Sequence, residues 1–360
     1  MNLIRAVLFL LITSSAFAAD YKLEVVATDF NFPWSITFLP DGDYLVAMRS
    51  GEVRRVSSDG TKSEPFLGTP DTYVAGQGGY FDIVLDPDFT SNSTVYLSYA
   101  GGTPKANGTT VTRAILEGNS FTDSKVIFSV EPTKDTPQHY GGKLLFLPDG
   151  TLMVTTGDGF EYREAAQDKT SQMGKTIRIN ADGSVPTDNP FAESSDANPA
   201  VYTYGHRNPQ GLAIDSATGA IYLHEHGPKG GDEVNLIEPG ANYGWPAVTY
   251  GENYSGAFVS PFKQYPGITE PVHYWVPSIA PSGLAVYRGE VFPEWNGDLL
   301  VGALVDQEVR RLEMEDGKVV AETPMFSELN ARIRDVRVGP DGNIYLLTDS
   351  ASGQIVRVTR

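Results

Sequence analysis

Hydrophobic and polar positions alternate with a period of two through much of the chain, and short turns interrupt the alternation at intervals. The runs Ile36–Val46, Ile83–Tyr99, Leu144–Thr155, Leu212–Leu223, Leu284–Val301 and Val336–Leu347 share one form: an alternating stretch, a turn built on Asp-Gly or a similar pair, and a second alternating stretch. Alternation buries one face of each strand and Asp-Gly supplies a turn that matches strand twist, so each run predicts a β-hairpin. Six hairpins predict an all-β fold, a six-bladed β-propeller of four-stranded antiparallel sheets. Past residue 18 each repeat has about 57 residues, against roughly 40–45 for a compact blade, so the surplus forms long loops around a central funnel. The tail Gly353–Thr359 alternates too, and pairing with Leu23–Ala27 would lock the ring. No sustained 3.6-residue period follows the first eighteen residues, which counts against the alternative, a doubly wound α/β fold.

Composition narrows the class. With 37 Gly, 24 Pro, 41% hydrophobic and 20% charged residues, the chain is neither disordered nor a coiled coil. A net charge of −18 argues against nucleic acid as a partner, because holding a phosphate backbone needs clustered cations. The opening MNLIRAVLFLLITSSAFA has a basic residue, an apolar run and small residues at positions 16 and 18, which predicts a signal peptide over 1–18 ahead of a single propeller domain over 19–360. The apolar run is short of the ~20 residues of a membrane span, and no later segment is longer. Without cysteine, an exported chain relies on its core, and a Gram-negative periplasm is the expected location.

Three loop regions concentrate chemistry. Pro137–Gly142 (PQHYGG) precedes the third hairpin and Gly157–Gly159 (GDG) follows it, so His139 and Asp158 leave the same end of paired strands. A carboxylate on one imidazole nitrogen fixes the tautomer and leaves the other to accept a proton, which makes His139 a general base; a packed turn histidine is the alternative. Tyr204–Gly211 (YGHRNPQG) offers Arg207 and Asn208 as donors for a planar anion, against an interblade ion pair for Arg207. In His224–Trp245, His224 and His226 share one strand face, but no third His or Cys is near, so zinc is the minor reading. Oxygen donors at Gly227, Pro228, Asp232, Glu233 and Asn242 suit calcium, or form a solvated acidic turn.

Taken in order, AGQGGYFDIVLDPDF, QHYGGKL, GDG, GHRNPQG, HGPKGGDEVNLI with NYGWP, SIAPSG and RIRDVRVGPDG resemble the soluble aldose (glucose) dehydrogenases that depend on pyrroloquinoline quinone (PQQ). In length the chain is similar to their compact bacterial aldose sugar dehydrogenase branch. The resemblance implies a propeller with PQQ on the funnel floor, held by Gln77, Arg207, Asn208, Tyr250, Ala303, Leu304, Val305, Arg332, Ile333 and Arg334. It implies Ca2+ at the carbonyls of Gly227 and Pro228, and a second, structural Ca2+ through Glu233 and Tyr243. His139 would remove the proton of the anomeric hydroxyl of an aldose sugar substrate, oriented by Asp158, while Arg207 stabilises charge on the cofactor oxygen. The product would be an aldonolactone, and electrons would pass to an external acceptor that no sequence feature identifies. The protein would work as a monomer or homodimer.

One departure stands out: many relatives carry Lys within the segment aligned with Gly302–Gln307, where this chain has Val305. Arg310 and Arg311 are the neighbouring cations available to compensate, and Asp306 would oppose them if it faced the site. Weaker cofactor binding would favour two other readings, a metal-dependent propeller hydrolase such as a lactonase, or a non-catalytic propeller that binds sugar or peptide. The stretches Thr249–Lys263 and Phe160–Met173 are the loops expected to set specificity.

Overall fold

The computed structural model describes residues 21–360; the predicted signal peptide lies outside the described residues. Among these residues the chain forms six antiparallel sheets. The first strands of the sheets are Pro33–Phe38, Tyr80–Leu85, Gly141–Phe146, Pro209–Ile214, Pro281–Val286 and Ile333–Val338. Each lies against its neighbours around a ring, the last beside the first. This is the predicted six-bladed propeller, and every predicted hairpin is the first and second strand of one blade.

Turn chemistry repeats where the sequence repeats. In the hairpins at Leu39–Asp43, Leu147–Thr151 and Gly339–Asn343 the first residue donates its N–H to the carbonyl of the last, at 2.8 Å in each case. The glycines of their Asp-Gly pairs, Gly42, Gly150 and Gly342, have φ of +92°, +80° and +77°, values that favour a residue without Cβ. These turns occupy the face opposite the long loops.

The ring closes as the alternation predicts. Lys22–Phe30 pairs with Gly353–Thr359, with Leu23 opposite Val358 and Val25 opposite Val356, so the start of the described chain supplies the outer strand of the last blade. One expectation is corrected: five blades have four strands, and the blade containing Tyr44–Met48 has three. After Val56 the chain makes an isolated bridge at Lys62, Pro65 lacks an N–H, and Leu67 bridges to Ser120 of the next blade. That segment joins two blades instead of edging one.

The core is a set of layers between blades. Leu300 and Val309 of the fifth blade pack with Val336, Leu346 and Val356 of the sixth, and the other interfaces repeat this arrangement. At the axis a polar cluster replaces hydrocarbon. Lys143 Nζ donates to Asp335 Oδ1 at 2.8 Å and lies 3.8 Å from Asp82 Oδ2. Arg337 donates to Asp335 at 2.8 Å and to Asp82 at 2.5 Å. Two carboxylates and two cations balance, and Asp82 Oδ2 and Asp335 Oδ2 also accept the Leu144 and Ile36 backbone N–H groups. Inner strands of four blades are tied together here.

Candidate active site

The loops that enter the first strands and leave the second strands gather on one face around a cavity of about 1150 Å³. Gln77, His139, Arg207, Asn208, Arg332 and Arg334 come from loops before or at the start of first strands; Arg49, His226, Leu304 and Asp349 each directly follow a second strand. All of them line the cavity.

His139 and Asp158 meet as the hairpin geometry predicts. Nδ1 of His139 is 2.6 Å from Asp158 Oδ1, and both side chains are buried. Asp158 is fixed from two further sides: the Trp245 indole N–H donates to Oδ2 at 2.7 Å and the Phe160 N–H to Oδ1 at 2.8 Å. With Nδ1–H directed at the carboxylate, Nε2 carries the lone pair. Burial lowers the His139 pKa, against the opposing pull of Asp158, so the imidazole is neutral and able to accept a proton. Burial raises the Asp158 pKa, but His139 and Arg207 outweigh it and hold the carboxyl below its usual range.

His139 has φ +50°, and its backbone is clamped. Gln77 Oε1 accepts the His139 N–H at 2.8 Å, and Asn208 Oδ1 accepts the Gly141 N–H at 3.1 Å. A Cβ on Gly157 would stand 2.2 Å from the His139 carbonyl, so only glycine permits this approach. Two residues expected to touch a cofactor therefore also position the base, with their amide nitrogens lacking a protein acceptor among the described residues. Lys134, packed against the Asp158 turn, was not singled out by the sequence; burial pushes its pKa down to about 7.

Arg207 reaches the cavity beneath Trp245, with its guanidinium 5.3 Å from the ring centroid. It donates to the carbonyl of Gly227 at 2.6 Å, and its own N–H goes to Glu225 at 2.5 Å. Arg332 and Arg334 line the same cavity, and both pair with Asp349, at 3.2 and 3.4 Å. Arg334 also donates to Gln210 Oε1, and Arg332 to the Leu304 carbonyl, each at 3.1 Å. Tyr250 lines the wall, stacked 3.9 Å from Tyr274 and donating to Glu270.

Several expected positions differ. Ala303 and Ile333 are wholly buried between blades and do not reach the cavity, because they pack in strand interiors. Leu304 and Val305 do line it, with Val305 58% exposed. Neither Arg310 nor Arg311 stands in for a lysine there. Arg310 pairs with Asp306, Glu308 and Glu322, and Arg311 with Asp298 and Glu313, all away from the cavity. The same pairing keeps Asp306 out of the site.

The acidic loop also sorts itself. Asp232 accepts from Gly227 N–H, Ser278 Oγ and the N–H groups of Ile279 and Ala280, so its oxygens organise the crossing to the fifth blade. Asn242 Oδ1 accepts from Gln167 and Gly244. His224 Nε2 meets the Ser282 carbonyl and His226 Nε2 meets Gln210, so the two imidazoles do not converge. Among the described residues no group of three or more His, Cys, Asp or Glu gathers as a metal cluster.

Oxygen donors remain in two places. The carbonyls of Gly227 and Pro228 are at the cavity wall, the first engaged by Arg207. Glu233 and Tyr243 lie outside the main cavity, on an adjoining void of about 10 Å³ that Glu225 also lines. That is room for about one water-sized sphere. Burial, and then Glu225, raise the Glu233 carboxyl well above its usual range, and no basic side chain forms an ion pair with it among the described residues. Arg207 lines the void too and Glu225 is engaged by His206, Asn235 and the Arg207 N–H, so the Glu233 carboxylate is the donor there that suits a hard cation.

The comparisons with known proteins accord with this geometry. A family model described as glucose/sorbosone dehydrogenase matches residues 30–357. The chain belongs to this family. It is 40% identical over 348 residues to aldose sugar dehydrogenase YliI of Escherichia coli K12, covering 95% of this chain and 93% of that protein. The crystal structure of the soluble aldose sugar dehydrogenase of Escherichia coli in its apo form matches with a TM-score of 0.91 at 39% identity, over 94% of this chain and 99% of that one. The PQQ-bound form of aldose sugar dehydrogenase from Streptomyces coelicolor matches with a TM-score of 0.75 at 27% identity, over the same shares. As an aldose sugar dehydrogenase relative the chain is an oxidoreductase. No helix among the described residues is long and apolar enough to cross a membrane.

Proposed function

We propose that this protein oxidises aldose sugars at the anomeric carbon to aldonolactones, with PQQ and Ca2+ in the cavity and an external acceptor removing the electrons. The observation that carries the reading is one cavity lined both by an imidazole clamped through its Nδ1 and its backbone N–H and by the guanidinium groups of Arg207, Arg332 and Arg334. When bound, PQQ supplies the acceptor for the hydride that leaves the sugar carbon. His139 Nε2 takes the hydroxyl proton, and Asp158, fixed by Trp245, keeps the imidazole in the required tautomer and steadies the cation that forms. Arg207 offers positive charge where negative charge develops, and Arg332 and Arg334 supply forked donors for carboxylates. The carbonyls of Gly227 and Pro228 would hold the cavity Ca2+, which requires Arg207 to share or release Gly227. Export to a periplasm completes the proposal and rests on the leader-like first eighteen residues.

Steady-state dye reduction tests the reading. Turnover with an aldose panel is expected only with both PQQ and Ca2+ present, and no turnover with any aldose would overturn it.

Two further results are expected. Ca2+ bound through Glu233 raises the thermal midpoint, because binding to the native state alone stabilises by about 2.7 kcal/mol at a hundredfold excess over Kd. Glu233→Gln abolishes most of that rise in scans with Ca2+ against EDTA, and an unchanged rise would remove Glu233 from the site. Phe258, 80% exposed, and Tyr254 both line the cavity. Phe258→Ala raises KM for a disaccharide several-fold and leaves glucose nearly unchanged; equal effects on both would contradict a role in holding the second ring.

A further inference from the structure

We propose that Arg49, which carried no expected role, anchors a carboxylate of the cofactor as a third guanidinium beside Arg332 and Arg334; this rests on the reading above that PQQ occupies the cavity. Arg49 directly follows Tyr44–Met48 and lines the cavity with Arg332, Arg334 and Asp349. Arg332 and Arg334 share Asp349, and each has a second protein acceptor. Arg49 differs: among the described residues its guanidinium makes no hydrogen bond and no ion pair.

The four side chains leave a net charge of about +2 on this part of the wall. Burial already lowers the Arg49 pKa, with Asp349 opposing and Arg334 and Arg332 adding to the effect, so the group is partly stripped of water without a protein partner in exchange. A planar polycarboxylate is the ligand class that supplies the missing charge and matches a fork of donors.

The backbone behind Arg49 is built to hold that side chain. Phe32 has φ +53°, an uncommon conformation for a bulky residue, and its ring lies 4.5 Å from the guanidinium. The Arg49 N–H donates to the Phe32 carbonyl at 2.9 Å, and the Phe32 N–H donates to Ser350, next to Asp349, at 2.8 Å. A Cβ on Gly79 would stand 1.9 Å from the Arg49 carbonyl oxygen and 2.9 Å from its Cγ. Arg49 is thus supported from behind by a cation–π contact and a close glycine, while its polar fork has no protein acceptor. A guanidinium that served only the fold would end on an acceptor, as Arg310 and Arg311 do.

The test is PQQ binding by the purified apo protein, read by titration calorimetry at low and high salt, with the thermal midpoint of each apo variant alongside. Arg49→Met is expected to weaken PQQ binding about 10- to 100-fold, the range of one charge-assisted hydrogen bond, and to flatten the salt dependence. Arg49→Lys keeps the charge, loses the fork and gives an intermediate affinity, which carries the test even if Arg49→Met is unstable. Arg310→Met, away from the cavity, binds like wild type. Wild-type affinity in the Arg49 variants, with Arg334→Met weakened, overturns the assignment and leaves the cofactor reading standing. Wild-type protein that binds no PQQ overturns both.

Discussion

His139→Ala lowers kcat for aldose oxidation by about 10²–10⁴-fold, the range for loss of a positioned general base, while PQQ binding persists. The imidazole contributes one acceptor, Nε2, and Gln77 and Asn208 are held by the backbone N–H groups of His139 and Gly141, which the substitution leaves in place. Asp158→Asn gives a loss of similar order by a different route. Asn retains the shape, but an amide allows the imidazole to turn its N–H toward the substrate and removes the charge that steadies the protonated form. The pH profile separates the accounts. His139 must be neutral to act, and burial lowers its pKa below 6.5, so kcat/KM holds steady as pH falls through 6.5 and is lost only at more acid values. An acid limb centred above 6.5 would contradict a buried base.

Lys143→Met destabilises the fold by about 3–5 kcal/mol, as loss of one partner in a buried ion cluster does. Lys143 and its partners Asp82 and Asp335 are almost wholly inaccessible. Without the ammonium, two carboxylates on different blades share Arg337 alone. The urea midpoint falls accordingly, and Lys143→Met combined with Asp335→Asn is less damaging than the sum of the two, because the second change removes the charge that the first left unpaired. A midpoint unchanged in Lys143→Met would mean that the axial cluster does not tie the blades together.

How much of this was legible in the sequence depends on the range of the signal. Hairpins are local: alternation and Asp-Gly turns located the paired strands of all six blades and the strands that close the ring. The His139–Asp158 pair was legible for the same reason, since both residues flank one hairpin. The missing outer strand in the first blade was not, because a segment with Pro65 can edge one blade or cross to the next, and only packing decides. Strand interiors hid the burial of Ala303 and Ile333, where the adjacent residues, Leu304 in one case and Arg332 and Arg334 in the other, face the cavity. Asp232 looked like a metal ligand by composition, yet its acceptors are consumed by a loop from another blade. A usable signal for Arg49, His226 and Asp349 did exist. Each stands directly after the second strand of its repeat, and superposing the repeats would have marked that register as facing the funnel.

The most direct test of the account is rapid anaerobic mixing of PQQ-loaded protein with an aldose, following the absorbance of the bound quinone with no other acceptor present. Wild-type protein is expected to bleach the quinone spectrum in one turnover, and His139→Ala, loaded to the same extent, to bleach it at least about a hundredfold more slowly. A spectrum that no aldose changes in the loaded wild-type protein, or one that His139→Ala bleaches at the wild-type rate, would contradict it.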